Sequence, residues 1–372
     1  MKIKMLLDNA FDPDIRVYKE ALYLVNNKNE LEILCLDKKN KFKDNPLEEK
    51  DKIKIRRFFS RTDKITELIE KNAIIRKLKY VIYFWWLIKF MLQVKKYLKN
   101  EEYDMLHCHD LTMAFCACIF LKKQKIVFDM HEYYKSKNNK IVNWVIDKMV
   151  KYTQNKATWI IYLNEMQKQD IKENNLNKLI YLPNYPEEKT YIPVEKKKSE
   201  KLRINYIGFL RDYEALKTLI NLGKTNPNLT VGMYGMGSCY KKIKEEKFSE
   251  NVKIYGEFDG LKELSKKYSE TDILYCVYNP QIENWRTAYP VKLYESLITE
   301  TPIIVCENTV SGEFVETNKI GETVKYGDVD SLNKAIEKIA NQYEIYVKNI
   351  KEIKNIYKWE YVVKNLDKIF IN

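Results

Sequence analysis

The strongest constraint on the fold of this chain is an alternation that runs through it twice. Short β-type runs, "IKMLL", "LEILCL", "DMLHC", "KIVFD", "TWIIYL" and "KLIYL", are separated by helical stretches such as "RVYKEALYLVNN". Parallel βαβ units require this pattern. From Pro183 to Lys201 the chain reads "PNYPEEKTYIPVEKKKSEK", and its three prolines and charge run are the composition of a linker. The alternation then restarts with "RINYIG", "LTVGMYG", "VKIYG", "DILYCV", "TPIIVC" and "GETVKY". Because 372 residues exceed the roughly 250 to 300 at which one core stops growing, two domains are expected.

The expected architecture is therefore α/β, with two Rossmann-like domains facing a central cleft. We place the N-terminal domain at 1–185, the linker at 186–202 and the C-terminal domain at 203–350. The tail, 351–372, contains the amphipathic "YKWEYVVKNLDKIF" and is expected to pack back on the first domain. No period of about 20 to 50 residues recurs, so a repeat architecture is not indicated.

At 45% hydrophobic and 13% aromatic residues the chain is too apolar for a disordered protein. The seven cysteines are scattered and mostly set in apolar runs, as buried thiols of a reducing cytoplasm would be. The opening "MKIKMLLDNAFDPDIR" reads as a first strand and its loop, not a signal peptide. A net charge of +13 favours anionic partners. Lys71–Asn100 holds eight basic and no acidic residues around "VIYFWWLIKFMLQV". These fourteen residues fall short of the roughly 20 that span a bilayer. Three alternatives stay open: a core helix with Trp85, Trp86 and Phe90 under the sheet, a helix lying on an anionic membrane surface, or a nucleic-acid contact. No aromatic RNA-binding signature or basic module appears, so nucleic acid is not the expected partner.

All three histidines lie in "HCHDLTMAFCACIFLKKQKIVFDMHE". In a parallel sheet, ligands bind beyond the carboxyl ends of the strands, so His107 ending one strand with His109 in its loop, and Asp129 ending the next with His131 and Glu132 just after it, share one rim. His107, and His109 with it, read as strand-end residues hydrogen-bonded to neighbours. His131, flanked by acids at the rim, is the functional candidate. No standard zinc spacing joins these histidines to Cys108, Cys116 or Cys118, so no metal is expected.

In the second half, "NYIGFLRDYEALKTL" reads as strand, Gly208, a loop with Arg211, then a helix. Helix N-terminal amides and a guanidinium could meet a phosphate there. "VGMYGMGSCYKKI" repeats the design, with Gly235 and Gly237 allowing close backbone approach. In "NWRTAYPVKLYESLITETPIIV" a helix entered through Pro290 sets Lys292 and Glu295 on neighbouring positions, a cation for a diphosphate and a carboxylate for a ribose diol. As an isolated match the pair would read as a surface ion pair.

Taken in order, "DIRVYKEALYL", "YDMLHCHD", "VFDMHE", "YLNEMQKQDI", "IYLPN", "YIGFLR", "MYGMG", "IYGEF", "TDILYCVY" and "PVKLYESLITETPIIV" resemble a retaining glycosyltransferase of the GT-B fold, similar to glycosyltransferase family 4. That family builds bacterial polysaccharides and glycolipids. The resemblance implies a nucleotide-sugar donor, UDP favoured over GDP, a glycan or lipid-linked acceptor, retention, hexosyl or N-acetylhexosaminyl transfer and no cofactor. It implies that His131, with Glu132 beside it, approaches the transferred sugar, that Arg211 and Lys292 neutralise the diphosphate, and that Glu295 binds the ribose. The first glutamate of the family's paired-glutamate motif falls at Thr287, which takes its place as a donor-site candidate. Asp212 and Glu214 occupy the loop where the family carries a lysine. "DNAFDPD" replaces the first-domain glycine loop, leaving Asp14, Arg16 and His109 as acceptor-side candidates. The expected location is cytoplasmic, at the inner face of the membrane if the basic aromatic helix meets lipid. Two rivals are a sugar-nucleotide 2-epimerase of similar fold and a basic nucleic-acid-binding protein.

Overall fold

The computed structural model describes residues 1–12, 14–59, 79–121, 124–134, 140–169, 171–191 and 199–370, with backbone only at 79–81 and 261. The chain forms two compact units, Met1–Pro183 with Val363–Asn372, and Asn184–Val362.

In the first unit β1 (Lys2–Leu7) and β2 (Glu30–Leu36) are buried along nearly their whole length, as strands covered on both faces by crossover helices must be. With β3 (Leu47–Lys50), β4 (Ile53–Phe58), β5 (Met105–His109), β6 (Ile126–Asp129), β7 (Trp159–Tyr162) and β8 (Leu179–Tyr181) they form one sheet. Its order is β3-β4-β2-β1-β5-β6-β7-β8. Only the β3/β4 pair is antiparallel. The order reverses between β1 and β5, the switch point at which such sheets bind ligands. The register sets His107 opposite Met5 and His109 opposite Asp129, so one rim collects the polar strand ends.

Helix α1 (Ile15–Asn26) is N-capped by Asp14, which accepts from the Val17 amide at 3.3 Å. It buries Val17, Ala21 and Leu24, and also Arg16 and Glu20. Helix α2 (Lys79–Leu98) buries Leu87, Phe90, Met91 and Val94. Phe84 and Trp85 are 58% and 64% exposed, because a turn of about 100° per residue carries them off that stripe. Of the expected core aromatics, then, Phe90 is buried and Trp85 is not. No helix among the described residues is long and apolar enough to cross a membrane. The basic stretch 71–78 lies outside the described residues.

The second unit is a six-stranded parallel sheet of β9 (Leu202–Ile207), β10 (Leu229–Tyr234), β11 (Val252–Gly256), β12 (Ile273–Cys276), β13 (Ile303–Cys306) and β14 (Gly321–Val324), in the order β11-β10-β9-β12-β13-β14. Its core gathers Ile204, Tyr206, Leu219, Met233, Tyr275 and Ile304. The tail divides differently from expectation. Residues up to Val362 stay with the second unit, where Lys354 pairs with Glu300 at 2.7 Å, Lys358 with Glu188 at 2.6 Å and the Trp359 amide donates to the Pro186 carbonyl at 3.1 Å. The second unit also takes Asn184 and Tyr185, expected in the first domain, and residues 186–191 of the expected linker; 192–198 lie outside the described residues. From Val363 the chain belongs to the first unit: Asn365 donates to the Tyr181 carbonyl at 2.9 Å and Tyr23 to Asp367 at 2.6 Å.

Candidate active site

The rim of the first unit is built around one buried carboxylate. Asp129 Oδ2 lies 3.0 Å from His109 Nδ1 and 2.9 Å from His131 Nε2, and Asp129 Oδ1 accepts from Arg16 at 2.9 Å. A carboxylate only accepts, so both imidazoles turn a protonated nitrogen to it, and their 3.1 Å approach follows from sharing that oxygen. Burial opposes a charge on Asp129, but Arg16, His131 and His109 hold it well below the usual carboxylate range. Burial likewise opposes a charge on His131, yet Asp129 and then Asp110, 3.6 Å from Nδ1, raise it to about 9. The ring is therefore an imidazolium at neutral pH. Burial lowers His107 and His109, which stay neutral.

Behind this triad Glu20 is fully buried, at ion-pair distance from Arg16 (3.1 Å) without hydrogen-bond alignment. Burial and the neighbouring Asp129 push its carboxyl up to about 8. His107, stacked between His109 at 4.3 Å and Phe370 at 5.5 Å, is part of the packing. Among the described residues Glu20, His107, His109 and Asp129 are the one group whose donor atoms, within 4.8 Å of one another, could hold a metal ion. Arg16 reaches both carboxylates, so a guanidinium already supplies the balancing charge.

The acceptor-side candidates are thus spent inside the unit. Arg16 serves Asp129 and the Leu182 carbonyl at 3.1 Å, Asp14 caps α1, and His109 is 3% exposed behind His131. His131 keeps 19% of its side chain exposed, and Glu132 is exposed. The Glu132 carbonyl is held at 3.0 Å by buried Gln167. Asp129 was expected on this rim but without a role, and Glu20 and Gln167 were not among the candidates. Arg16 and Glu20, four apart on a helix face shared with Val17, Ala21 and Leu24, were the available signal.

In the second unit the loops after β9 and β10 are tied backbone to backbone. Gly208 N–H donates to the Tyr234 carbonyl at 2.8 Å and Leu210 N–H to Met236 at 2.9 Å. Gly235 sits at φ +127°, and a Cβ there would lie 2.1 Å from the Gly208 carbonyl oxygen, so no other residue fits. Gly237 is packed equally closely on the Leu210 carbonyl, at 2.3 Å from a would-be Cβ. Gly208, φ +125°, leaves room for the Lys292 side chain. That lysine projects from α3 (Val291–Ile298), whose N-cap is Pro290. Its ammonium donates to Tyr278 Oη at 2.7 Å and lies 3.9 Å from the Tyr206 ring centroid. Glu295 is fixed from both sides, accepting from Tyr191 at 2.6 Å and from Tyr268 at 2.7 Å.

Two expectations change here. Asp212 caps the helix Tyr213–Thr225 and also accepts from the Asn279 amide at 2.9 Å and Tyr326 at 2.7 Å. Its carboxylate closes that helix N-terminus to a phosphate, leaving the exposed Arg211 beside Phe209 as the loop's contribution. Thr287 is 2% exposed and its hydroxyl donates to the Glu283 carbonyl at 2.9 Å, so it ends a short helix and is no stand-in for an acidic sugar contact.

Two parallel-sheet Rossmann-like units, one ending its strands in a histidine–aspartate–arginine cluster and the other in glycine loops with a lysine and a fixed carboxylate, define a GT-B glycosyltransferase. Residues 15–184 match the family model Glycosyltransferase Family 4 and residues 187–356 match Glycosyl transferases group 1. The chain belongs to this glycosyltransferase family. Among solved structures it is similar to sucrose-phosphate synthase from Thermosynechococcus elongatus, at 14% identity and TM-score 0.77, covering 100% of this chain and 98% of that one. It also resembles Anabaena HepE in complex with UDP, at 12% identity and TM-score 0.70, covering 99% of each. A third is WaaG, a glycosyltransferase involved in lipopolysaccharide biosynthesis, at 11% identity and TM-score 0.67, covering 100% of each. At these identities the likeness is one of fold. No curated protein matches the sequence significantly.

Proposed function

We propose that the protein transfers a sugar from a UDP-sugar to a glycan or lipid-linked acceptor with retention of anomeric configuration. The observation that carries this is Lys292 at Gly208 with Glu295 three residues on, a cation and a clamped carboxylate beside glycine loops. HepE, similar in fold, has been crystallised with UDP and with UDP-glucose. In the proposed reaction the bond between the anomeric carbon and the diphosphate oxygen breaks as the acceptor oxygen bonds to that carbon on the same face. The acceptor proton passes to the departing diphosphate. Lys292 and Arg211 stabilise the charge developing there without a metal, and the His131 imidazolium holds a sugar hydroxyl.

Heat-induced unfolding followed with UDP, GDP and UDP-sugars tests the donor class, since a ligand at 100 times its dissociation constant adds about 2.7 kcal/mol. Stabilisation by GDP and none by UDP would sink the donor assignment. NMR of the product's anomeric proton tests retention, and turnover unchanged by a chelator tests metal independence.

The exposed Phe84 and Trp85 on a helix that also carries exposed Lys89, Lys95 and Lys96 support contact with an anionic membrane surface, at the inner face of the cytoplasmic membrane. Co-sedimentation with phosphatidylglycerol vesicles should fall with salt and in Trp85→Ala. Equal, weak retention by neutral and anionic vesicles would remove the membrane from the proposal.

A further inference from the structure

Glu295, the carboxylate to which the family resemblance gives the nucleotide ribose, is met by two phenols that the transfer chemistry does not use. Tyr268 Oη donates to Glu295 Oε2 at 2.7 Å, and Tyr191 Oη donates to Oε1 at 2.6 Å. A carboxylate only accepts, so both hydroxyl protons are committed to it, one on each oxygen.

The two rings come from separate parts of the second unit. Tyr268 lies near the end of the helix Gly260–Ser269 and is fully buried. Tyr191 follows the short turn Glu188–Thr190, in the stretch the sequence reads as linker, and is 5% exposed. The rings meet edge to face, with centroids 5.9 Å apart and planes at 70°, so packing as well as hydrogen bonding fixes where the hydroxyls point. Glu295 is the partly exposed member of the three.

A partly exposed glutamate on a helix can be hydrated and has no need of two buried phenols. Left unclamped, its side chain spreads over many rotamers, and a ligand that needs it in one of them bears the ordering cost on binding. The clamp removes that cost in advance. What it leaves open then defines the ligand. A carboxylate has about four lone-pair sites, so with one phenol on each oxygen, each oxygen can still take a second donor. The vicinal diol of a ribose brings two O–H donors and can fill both. A 2′-deoxyribose brings one.

We infer that Tyr191 and Tyr268 are positioning residues of the donor site: by each holding one oxygen of Glu295, they make the site select a ribose diol over a 2′-deoxyribose. The inference rests on the UDP-sugar reading above, with Glu295 as its ribose contact, and names the residues that make that contact selective.

Calorimetric titration of the full chain with UDP and 2′-deoxy-UDP, in the parent and in Tyr191→Phe, Tyr268→Phe and Glu295→Ala, tests it. The parent should bind UDP at least about tenfold more tightly than 2′-deoxy-UDP, the scale of one hydrogen bond to a charged group. Glu295→Ala should bring the ratio to about one, since the acceptor is gone. Each phenylalanine variant keeps the ring and loses the hydroxyl, so it should weaken UDP more than 2′-deoxy-UDP and bring the ratio to about threefold or below. A ratio unchanged in both, with the two nucleotides weakened alike as a purely structural role would do, overturns the inference. If the buried Tyr268→Phe does not fold, Tyr191→Phe decides alone. A ratio abolished by Glu295→Ala but intact in the phenylalanine variants strikes this inference and leaves the ribose role of Glu295 standing. A parent without preference, or a preference that survives Glu295→Ala, strikes both. Failure of the parent to bind either nucleotide strikes the donor reading, and this inference with it.

Discussion

The two units build their polar sites from opposite materials. In the first, Arg16, His109 and Asp129 are buried side chains joined by charge and hydrogen bonds, with Glu20 and His107 buried beside them. In the second, glycine backbones make the shape, and two charged side chains are presented by phenolic neighbours. A buried ionic network stands or falls as a unit, because removing one partner strands another in low dielectric. A backbone cradle tolerates loss of a side chain and surrenders only that contact. Changes in the first unit should therefore tie stability to chemistry, and changes in the second should separate them.

The largest effect is expected for Arg16→Ala, which leaves the Asp129 charge without its guanidinium. It should cost about 3 to 5 kcal/mol of stability, measured by urea unfolding. A loss under about 1 kcal/mol, typical of exposed pairs, would mean the network is not a unit.

Next comes His131→Ala. His131 is the network's partly exposed edge, so turnover should drop at least about 100-fold, the scale of one preorganised polar contact, with a loss of stability smaller than that of Arg16→Ala because Asp129 keeps Arg16 and His109. His107→Ala should do the reverse, since that ring is packing between His109 and Phe370. Near-normal turnover in His131→Ala removes it from the mechanism.

Asp129→Asn sharpens the electrostatic half of the comparison. The raised His131 value of about 9 means its contribution to stability is fully present below the unfolded value of about 6.5 and is lost as pH rises through about 9. Glu20, raised to about 8 by burial, adds a loss of the same sign from about 4.5 upward. With only three histidines, imidazole nitrogen NMR can follow His131 alone. Its titration should move by more than one pH unit to the acid side in Asp129→Asn, and an unmoved curve would show that Asp129 does not set its charge.

The smallest effect is expected in the second unit. Lys292→Ala should weaken UDP about tenfold, one charge-assisted hydrogen bond of about 1.5 kcal/mol, with unfolding unchanged. If Lys292→Ala instead unfolds as readily as Arg16→Ala, the contrast between the units collapses.

The sequence by itself determined the two parallel sheets, because apolar strand runs alternating with helical runs have no other way to bury both faces. It also placed His109 and His131 at one rim, since one strand ends at His109 and the next just before His131, whereas His107 lies within its strand. The glycines at 208, 235 and 237 and the Lys292 and Glu295 spacing were legible for the same reason: each is a local pattern with a local cause. Only the tertiary structure decided which charges face inward. Arg16 and Glu20 lie more than a hundred residues from Asp129 and meet it through the packing of α1 under the sheet. Asp212 closes a helix end that the motif left open, and Thr287 turns its hydroxyl to a carbonyl four residues back. The tail splits between units at Val363. Such outcomes depend on long-range desolvation and pairing, which a linear pattern does not encode at any one position.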